Sequence, residues 1–159
     1  MEKQLEPQRK NRPVLNRERA EKGLSLTKLW RSTPAYFKNK ARDDNVVLKS
    51  YKQKKTKGGM PAMVAQAVSI NNRPPRRVHR CSVIGMDKEI PTLYRQKRVL
   101  VSCDCESYTF TFEYANWTWG ASRIVYSNGD AAVVKNPGNV AGLCKHLVEL
   151  VRTIAERKD

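Results

Sequence analysis

The strongest periodic pattern in the chain is a stripe of large apolar residues near its C-terminal end. Their spacing of four, three, one and three positions brings all of them to one face of an α-helix. Lysine, histidine, glutamate and arginine lie among the positions between them. The stripe predicts an amphipathic helix over residues 143–154. Its members are Leu143, Leu147, Leu150, Val151 and Ile154.

Two segments further upstream have the composition of β-strands. Residues 77–86 and 97–105 are rich in β-branched residues, and a polar loop that contains Pro91 separates them. Short runs of this kind on either side of a polar loop are typical of neighbouring antiparallel strands. We therefore expect the two segments to pair with each other.

Aromatic and polar residues alternate in the segment that follows, residues 107–117. A period of two residues is typical of a strand with one buried face. Asn128 and Gly129 further on form a dipeptide that tolerates the positive φ of a tight turn. These patterns predict another strand and an inserted hairpin over residues 113–130. The aromatic face of the strand consists of Tyr108, Phe110, Phe112 and Tyr114.

Residues 1–60 show little periodicity apart from a weak helical stretch at 16–32, and their large apolar residues stand singly among lysines and arginines. Such a segment is either a disordered, solubilising tail or an extended basic arm that docks on a partner. The interleaving favours the arm, because aromatic side chains can enter pockets while basic ones meet phosphates or an acidic surface. The candidate partner contacts are Trp30, Tyr36, Phe37, Tyr51, Lys52, Lys54 and Lys55.

Residues 61–76 separate this arm from the predicted strands. The stretch 58–68 carries no charge and consists mainly of small residues, and two prolines interrupt the chain at 74 and 75. We interpret residues 61–76 as a linker with a short helix. The chain then divides into an arm at 1–60, this linker, and a folded domain at 77–159.

The charge distribution is in line with this division. The 159-residue chain has a formal net charge of +16, and all of the excess positive charge lies before residue 101. Such asymmetry is expected of a basic arm joined to a folded module. Only about 80–90 residues then supply the core, a size at which a bound metal often supplements apolar burial.

The cysteines are the first candidates for metal ligands. No apolar run approaches the roughly 18 residues that span a bilayer, and the N-terminal residues show no signal-peptide pattern. We expect a soluble protein of a reducing compartment, where cysteines are thiols or metal ligands more often than disulfides. The four cysteines are Cys81, Cys103, Cys105 and Cys144.

Three of these cysteines and one histidine supply three sulfur donors and one nitrogen donor, a set that structural zinc prefers. These residues are Cys103, Cys105, Cys144 and His146. In a regular strand Cys103 and Cys105 would lie about 6.5–7 Å apart, too far for a shared tetrahedral ion, so the chain must turn there. Residues 144 and 146 lie 200° apart on a continuous helix. We therefore expect Cys144 at or just before the helix N-terminus and His146 in its first turn.

Cys81 and His79 remain outside this set. They share one face of the predicted strand at 77–86, so either of them is an alternative ligand. A buried cysteine is also commonly just a small hydrophobic residue, and we favour that interpretation for Cys81.

The Cys-x-Cys…Cys-x-His order resembles the SWIM-type zinc module, in which a β-hairpin carries the first pair and a following helix carries the second. The resemblance covers residues 97–152, and the 38 residues between Cys105 and Cys144 make an unusually long spacer. This long variant is similar to small proteins of tailed bacteriophages. The fold class that follows is α+β: a small zinc-stapled antiparallel sheet with a C-terminal amphipathic helix, preceded by a basic extended arm.

Catalysis is not expected. Four protein ligands close the shell of the ion, no phosphate loop or nucleophile motif is present, and neither histidine has an evident acidic partner in the sequence. We expect a structural zinc protein that contacts other subunits of an assembly, in the host cytoplasm and then in the virion, with no small-molecule substrate. The alternative is a nucleic-acid-binding accessory protein whose arm neutralises phosphates. Trp117 and Trp119 are either core and interface anchors, which we favour, or base-stacking platforms.

Overall fold

The computed structural model describes residues 22–74 and 76–159. The predicted arm residues 1–21 lie outside this range. In chain order the elements are α1 (Leu26–Ser32), α2 (Ala35–Asp43), β1 (Val46–Lys55), β2 (Pro61–Ser69), β3 (His79–Gly85), a 3₁₀ turn (Leu93–Arg95), β4 (Val99–Cys103), a π-helical turn (Tyr108–Phe112), α3 (Glu113–Thr118) and α4 (Lys145–Arg157).

The four strands form one antiparallel sheet in the order β1-β2-β3-β4, and α4 packs against it. The predicted α+β class is confirmed, and so is the pairing of the segments at 77–86 and 97–105, since β3 pairs with β4. Cys81 lies opposite Cys103 in that register. Among the described residues, no helix combines the length and apolar character needed to span a bilayer.

The prediction of a linker with a short helix at 61–76 is wrong. Pro61–Ser69 is β2, an interior strand that pairs with β1 on one side and β3 on the other. Met63 and Ala67 of this strand belong to the core, and Val68 is buried as well. Burial on both faces gives a nearly continuous run of apolar residues, which lacks the alternation of a half-buried strand.

Residues 22–60 are not an extended arm or a disordered tail. Ser25 accepts a hydrogen bond from the Lys28 amide at 3.2 Å and caps α1. Leu26 and Leu29 of α1 are fully buried in the core that α4 also enters. The apolar residues of this region are therefore core residues of the same fold.

The predicted arm contacts have different positions in this fold. Phe37 packs edge-on against Phe112, with ring centroids 4.8 Å apart, and Trp30 packs partly buried against the core. Tyr36 is largely exposed, and Tyr51 lies under the Arg157 guanidinium. Lys52, Lys54 and Lys55 are exposed on β1. β1 is an edge strand, and exposed lysines are a common feature of edge strands, where charge discourages pairing with another sheet.

The C-terminal helix is confirmed. Its predicted stripe is buried against the sheet from Leu147 to Ile154. Cys144 is the N-cap residue, and Lys158 ends the helix with φ 60°.

The strand and the inserted hairpin predicted after Cys105 are wrong. Residues 106–118 are helical, first as a π-helical turn and then as α3. Tyr108 and Phe112 are buried, whereas Phe110 is 59% exposed. A spacing of four residues satisfies the period of a helix as well as that of a strand, so the alternation did not distinguish them. Residues 120–144 form an irregular segment that leads to α4.

Candidate metal centre

The four predicted ligands come together in one buried cluster. Cys103, Cys105, Cys144 and His146 each direct a sulfur or ring-nitrogen atom to a common point, and these four atoms all lie within 4.8 Å of one another. All four side chains are buried. The prediction of which residues assemble is confirmed in this geometry.

The end of β4 positions the first two ligands. Cys103 is the last residue of the strand, and the chain then turns so that Cys105 precedes a helix instead of continuing the sheet. The Asp104 amide donates to the Arg80 carbonyl at 3.1 Å, and the Tyr108 amide donates to the Cys105 sulfur at 3.3 Å. The turn predicted between the two cysteines is therefore present.

The start of α4 positions the other two ligands. Cys144 has extended backbone angles, φ −71° and ψ 170°, and the helix begins at the next residue. His146 lies in the first turn, with Nδ1 3.9 Å from the Cys103 sulfur. An N-cap residue lies off the helical path, so its side chain can meet that of the residue two positions later, as the spacing predicted.

Asn116 supports this helix start, although sequence reasoning did not single it out. Its amide nitrogen donates to the Gly142 carbonyl at 2.8 Å, and its amide oxygen accepts from the Gly142 amide at 2.9 Å. Gly142 itself is closely packed. A Cβ there would lie 2.6 Å from Cε1 of Phe112. The helix that carries Phe112 and Asn116 therefore holds the chain two residues before Cys144.

His79 has an acidic partner that the sequence did not reveal. Its Nδ1 lies 2.9 Å from Oδ1 of Asp104, a residue 25 positions away. Its ring also lies against that of His146, with centroids 4.6 Å apart. His79 thus packs behind a ligand, and it is not a member of the four-residue cluster.

The three thiols share their protons unequally. The pKa of Cys105 lies far below its usual value, chiefly because Cys103 donates a hydrogen bond to its sulfur, and Cys144 and His146 contribute further stabilisation. The hydrogen bond to Cys105 raises the pKa of Cys103, and burial raises the pKa of Cys144. The Cys105 thiolate is stabilised by its neighbours, whereas burial and the nearby negative charge oppose the loss of a proton from Cys103 and Cys144.

The donor set fits a tetrahedral cation that prefers sulfur. Metal–sulfur bonds of about 2.3 Å require sulfur–sulfur separations of about 3.8 Å. The ligand atoms lie within 4.8 Å of one another, so a contraction of at most about 1 Å brings each sulfur–sulfur pair to that separation. Cys103, Cys105, Cys144 and His146 would hold the ion, which would supply the positive charge that three thiolates need.

Comparison with known proteins gives no match: no family model, no curated protein and no solved structure is significantly similar to this chain. The SWIM-type and bacteriophage resemblances therefore stay predictions from the motif. The buried cluster is consistent with a zinc module and is the structural support for a metal-binding role.

Cys81→Ser is expected to leave the metal content unchanged. Burial raises the pKa of the Cys81 thiol to about 12, and its sulfur lies 3.9 Å from the Ala65 carbonyl oxygen, outside the cluster. Placing a hydroxyl in this apolar position should lower the free energy of unfolding by about 1–3 kcal/mol. Elemental analysis and urea denaturation measure the two quantities. Loss of metal from this variant would show that Cys81 is a ligand.

Proposed function

We propose that this protein is a non-enzymatic structural subunit of a larger assembly and that its cluster binds one zinc ion. The observation that carries the proposal is the closed, buried set of four protein donors. A catalytic zinc keeps a position for water or substrate, whereas a structural zinc takes all four ligands from the protein. Three thiolates and one imidazole are also a usual structural zinc shell.

The ion would join two distant parts of the fold. Cys103 and Cys105 end the sheet, and Cys144 and His146 begin α4, with 38 residues between the two pairs. Those residues contain an irregular segment from Gly120 to Leu143. A metal that closes a loop of this length restricts the unfolded chain and fixes the helix on the sheet.

An apolar surface beside the centre supports the role in an assembly. The Asn136 side chain donates to the Thr111 carbonyl at 2.9 Å, and the Trp119 indole donates to the Asn139 carbonyl at 3.1 Å. These bonds hold residues 133–140 against residues 110–119. We call the exposed apolar residues of this region the loop face; they are Phe110, Trp119, Val133, Val134 and Val140. Exposed apolar groups gathered in one place are typical of protein-contact surfaces.

The resemblance to small phage proteins extends the proposal to the virion of a tailed bacteriophage, with a neighbouring protein subunit on the loop face. The direct experiment is quantitative mass spectrometry of purified particles of the phage that encodes the chain. We expect a fixed number of copies per particle that resists washing with salt. Complete absence from purified particles would contradict the virion assignment.

Trp119→Ala combined with Val134→Ser is expected to reduce incorporation into the particle at least tenfold, since truncating buried interface anchors commonly costs 2 kcal/mol or more for each hot spot. Both side chains are at least half exposed in the isolated chain, so metal content should not change. Trp119→Ala removes the bond to the Asn139 carbonyl, but the Asn136 bond to the Thr111 carbonyl still holds residues 133–140, so the fold should persist. Tyr94→Ala, at another exposed aromatic residue, is the matched control. Copies per particle are measured after complementing a phage that lacks the gene.

Two other outcomes of this experiment are informative. If Tyr36→Ala reduces incorporation and the loop-face variant does not, the contact lies on the predicted arm. If the partner is free nucleic acid, the alternative function, binding should fall by about three to five orders of magnitude between 50 and 200 mM salt for six to ten phosphate contacts. A protein contact anchored by apolar residues should lose much less.

A further inference from the structure

A basic cavity lies beside the metal centre, where the loop between β2 and β3 approaches the first turn of α4. Its volume is about 390 Å³. The proposed ligands Cys105 and His146 line it on the side of the metal centre, but the structural role of the metal does not use its arginine side. Its loop side is lined by Arg73, Arg76 and Arg77.

The arginines give the cavity an excess of positive charge. Among the described residues, neither Arg73 nor Arg77 has a carboxylate partner, and Arg76 donates from Nε to the Asn72 carbonyl at 3.3 Å. Glu106 supplies the one carboxylate in the lining, and Cys105, the stabilised thiolate of the metal centre, lines the cavity as well, so three guanidinium groups face two negative groups.

The α4 side of the cavity contributes Lys145 and the N-terminal turn of a 13-residue helix. The Lys145 Nζ lies 2.7 Å from the Asp44 carboxylate, which largely balances its charge. The positive end of a helix dipole favours an anion at this position. The excess charge nevertheless comes from the loop, and the helix end only adds to it.

A buried hydroxyl in the lining is a second and independent observation. Ser69, the last residue of β2, is only 4% exposed, and its Oγ has no hydrogen-bond partner among the described residues. Ser69 lines the same cavity. Buried hydroxyl groups normally make a hydrogen bond, and one that has no protein partner calls for a ligand or water.

We propose that this cavity binds a phosphate group. Guanidinium groups match the oxygen atoms of phosphate in pairs of hydrogen bonds. The Ser69 Oγ is buried at the cavity wall, and a change of its side-chain rotamer would let it donate to a further oxygen. The volume corresponds to roughly a dozen water molecules, which exceeds the needs of a single ion and leaves room for a group attached to the phosphate. Inorganic phosphate and the phosphates of a nucleic-acid strand share this chemistry. The inference does not depend on the assembly role.

The test uses the full-length, metal-loaded protein with two probes, inorganic phosphate by calorimetry and a short fluorescent single-stranded oligonucleotide by anisotropy. Arg73→Gln with Arg77→Gln should weaken binding at least about tenfold, since bonds to charged groups are lost. Ser69→Ala, which removes one neutral donor, should weaken it about fivefold. Lys88→Gln with Lys97→Gln removes the same charge from exposed positions outside the cavity lining and should change affinity less than about twofold.

The outcomes separate the two sources of phosphate. Tighter binding of the oligonucleotide, with displacement by inorganic phosphate, identifies a nucleic-acid strand as the source; saturable binding of inorganic phosphate alone identifies the free ion. The proposal is overturned if neither probe binds saturably or if the lysine control loses as much affinity as the arginine variant. Metal content and near-ultraviolet circular dichroism show whether each variant is folded. If the glutamine variant misfolds, Arg73→Lys with Arg77→Lys keeps the charge and should still weaken phosphate binding, because a lysine side chain cannot form paired hydrogen bonds to phosphate oxygens.

Discussion

His146→Ala and Cys103→Ser are each expected to abolish stoichiometric metal binding and to unfold the region from β4 to the end of α4. All four ligand side chains are buried, so removal of one leaves the other three buried without the ion that they bind. Structural zinc sites contribute about 10–16 kcal/mol of apparent binding free energy in zinc-finger peptides. This is comparable to the whole stability of a small domain, about 5–15 kcal/mol.

Two measurements test this expectation. Elemental analysis should give about one zinc per wild-type chain and close to none in either variant, and near-ultraviolet circular dichroism should collapse in parallel. A strong chelator added to the wild-type protein should reproduce the loss. Cys81→Ser is the matched control, because it changes a buried cysteine outside the cluster. A wild-type protein that is folded and contains no metal would refute the proposal.

Glu113→Ala is expected to lower the free energy of unfolding by about 3–5 kcal/mol, comparable to breaking a buried ionic interaction. The Glu113 side chain is fully buried, and its carboxylate accepts hydrogen bonds from three successive amides. The donor–acceptor distances are 3.1, 3.0 and 2.7 Å. Without the carboxylate, these amides lose their acceptor and the irregular segment loses one of its attachments to α3, the one at residues 125–127. The three amides belong to Val125, Tyr126 and Ser127.

Urea denaturation gives the change in stability, and hydrogen exchange at residues 125–127 locates it. The metal content should persist, because Glu113 is not a ligand. Glu89→Ala is the control, since this glutamate is exposed and surface substitutions usually change stability by no more than about 0.5 kcal/mol. A Glu113→Ala variant with wild-type stability and wild-type protection at these amides would show that the carboxylate does not hold the segment.

Local patterns in the sequence determined the parts of this fold that depend on one element or one residue type. The stripe from Leu143 to Ile154 predicted α4, because a single apolar face at helical spacing has few other interpretations. The identity of the ligands followed from donor chemistry, and the 200° separation of residues 144 and 146 on a helix placed Cys144 before the helix start. The pairing of β3 with β4 followed from composition and loop chemistry.

Patterns that allow two periods were decided by the tertiary structure. Tyr108 and Phe112 are four residues apart, which suits a strand and a helix equally. The structure makes this segment helical, with the Tyr108 amide bonded to the Cys105 sulfur and the Tyr108 hydroxyl 3.0 Å from the Val101 carbonyl oxygen. These contacts join residues that the alternation alone could not relate.

Long-range burial decided the rest. Met63 and Ala67 lie in a strand that has neighbours on both edges and buried residues on both faces, so its sequence lacks the polar alternation by which a strand is recognised. Leu26 and Leu29 stand among charged residues, and their burial depends on α4 and the sheet, which lie far away in the sequence. Likewise, His79 meets Asp104 only because β3 and β4 pair. The sequence by itself determined the ligand set and the elements with one clear period. Contacts between distant segments decided which of the ambiguous segments joined the core, because the free energy of burying a residue depends on the surface that covers it.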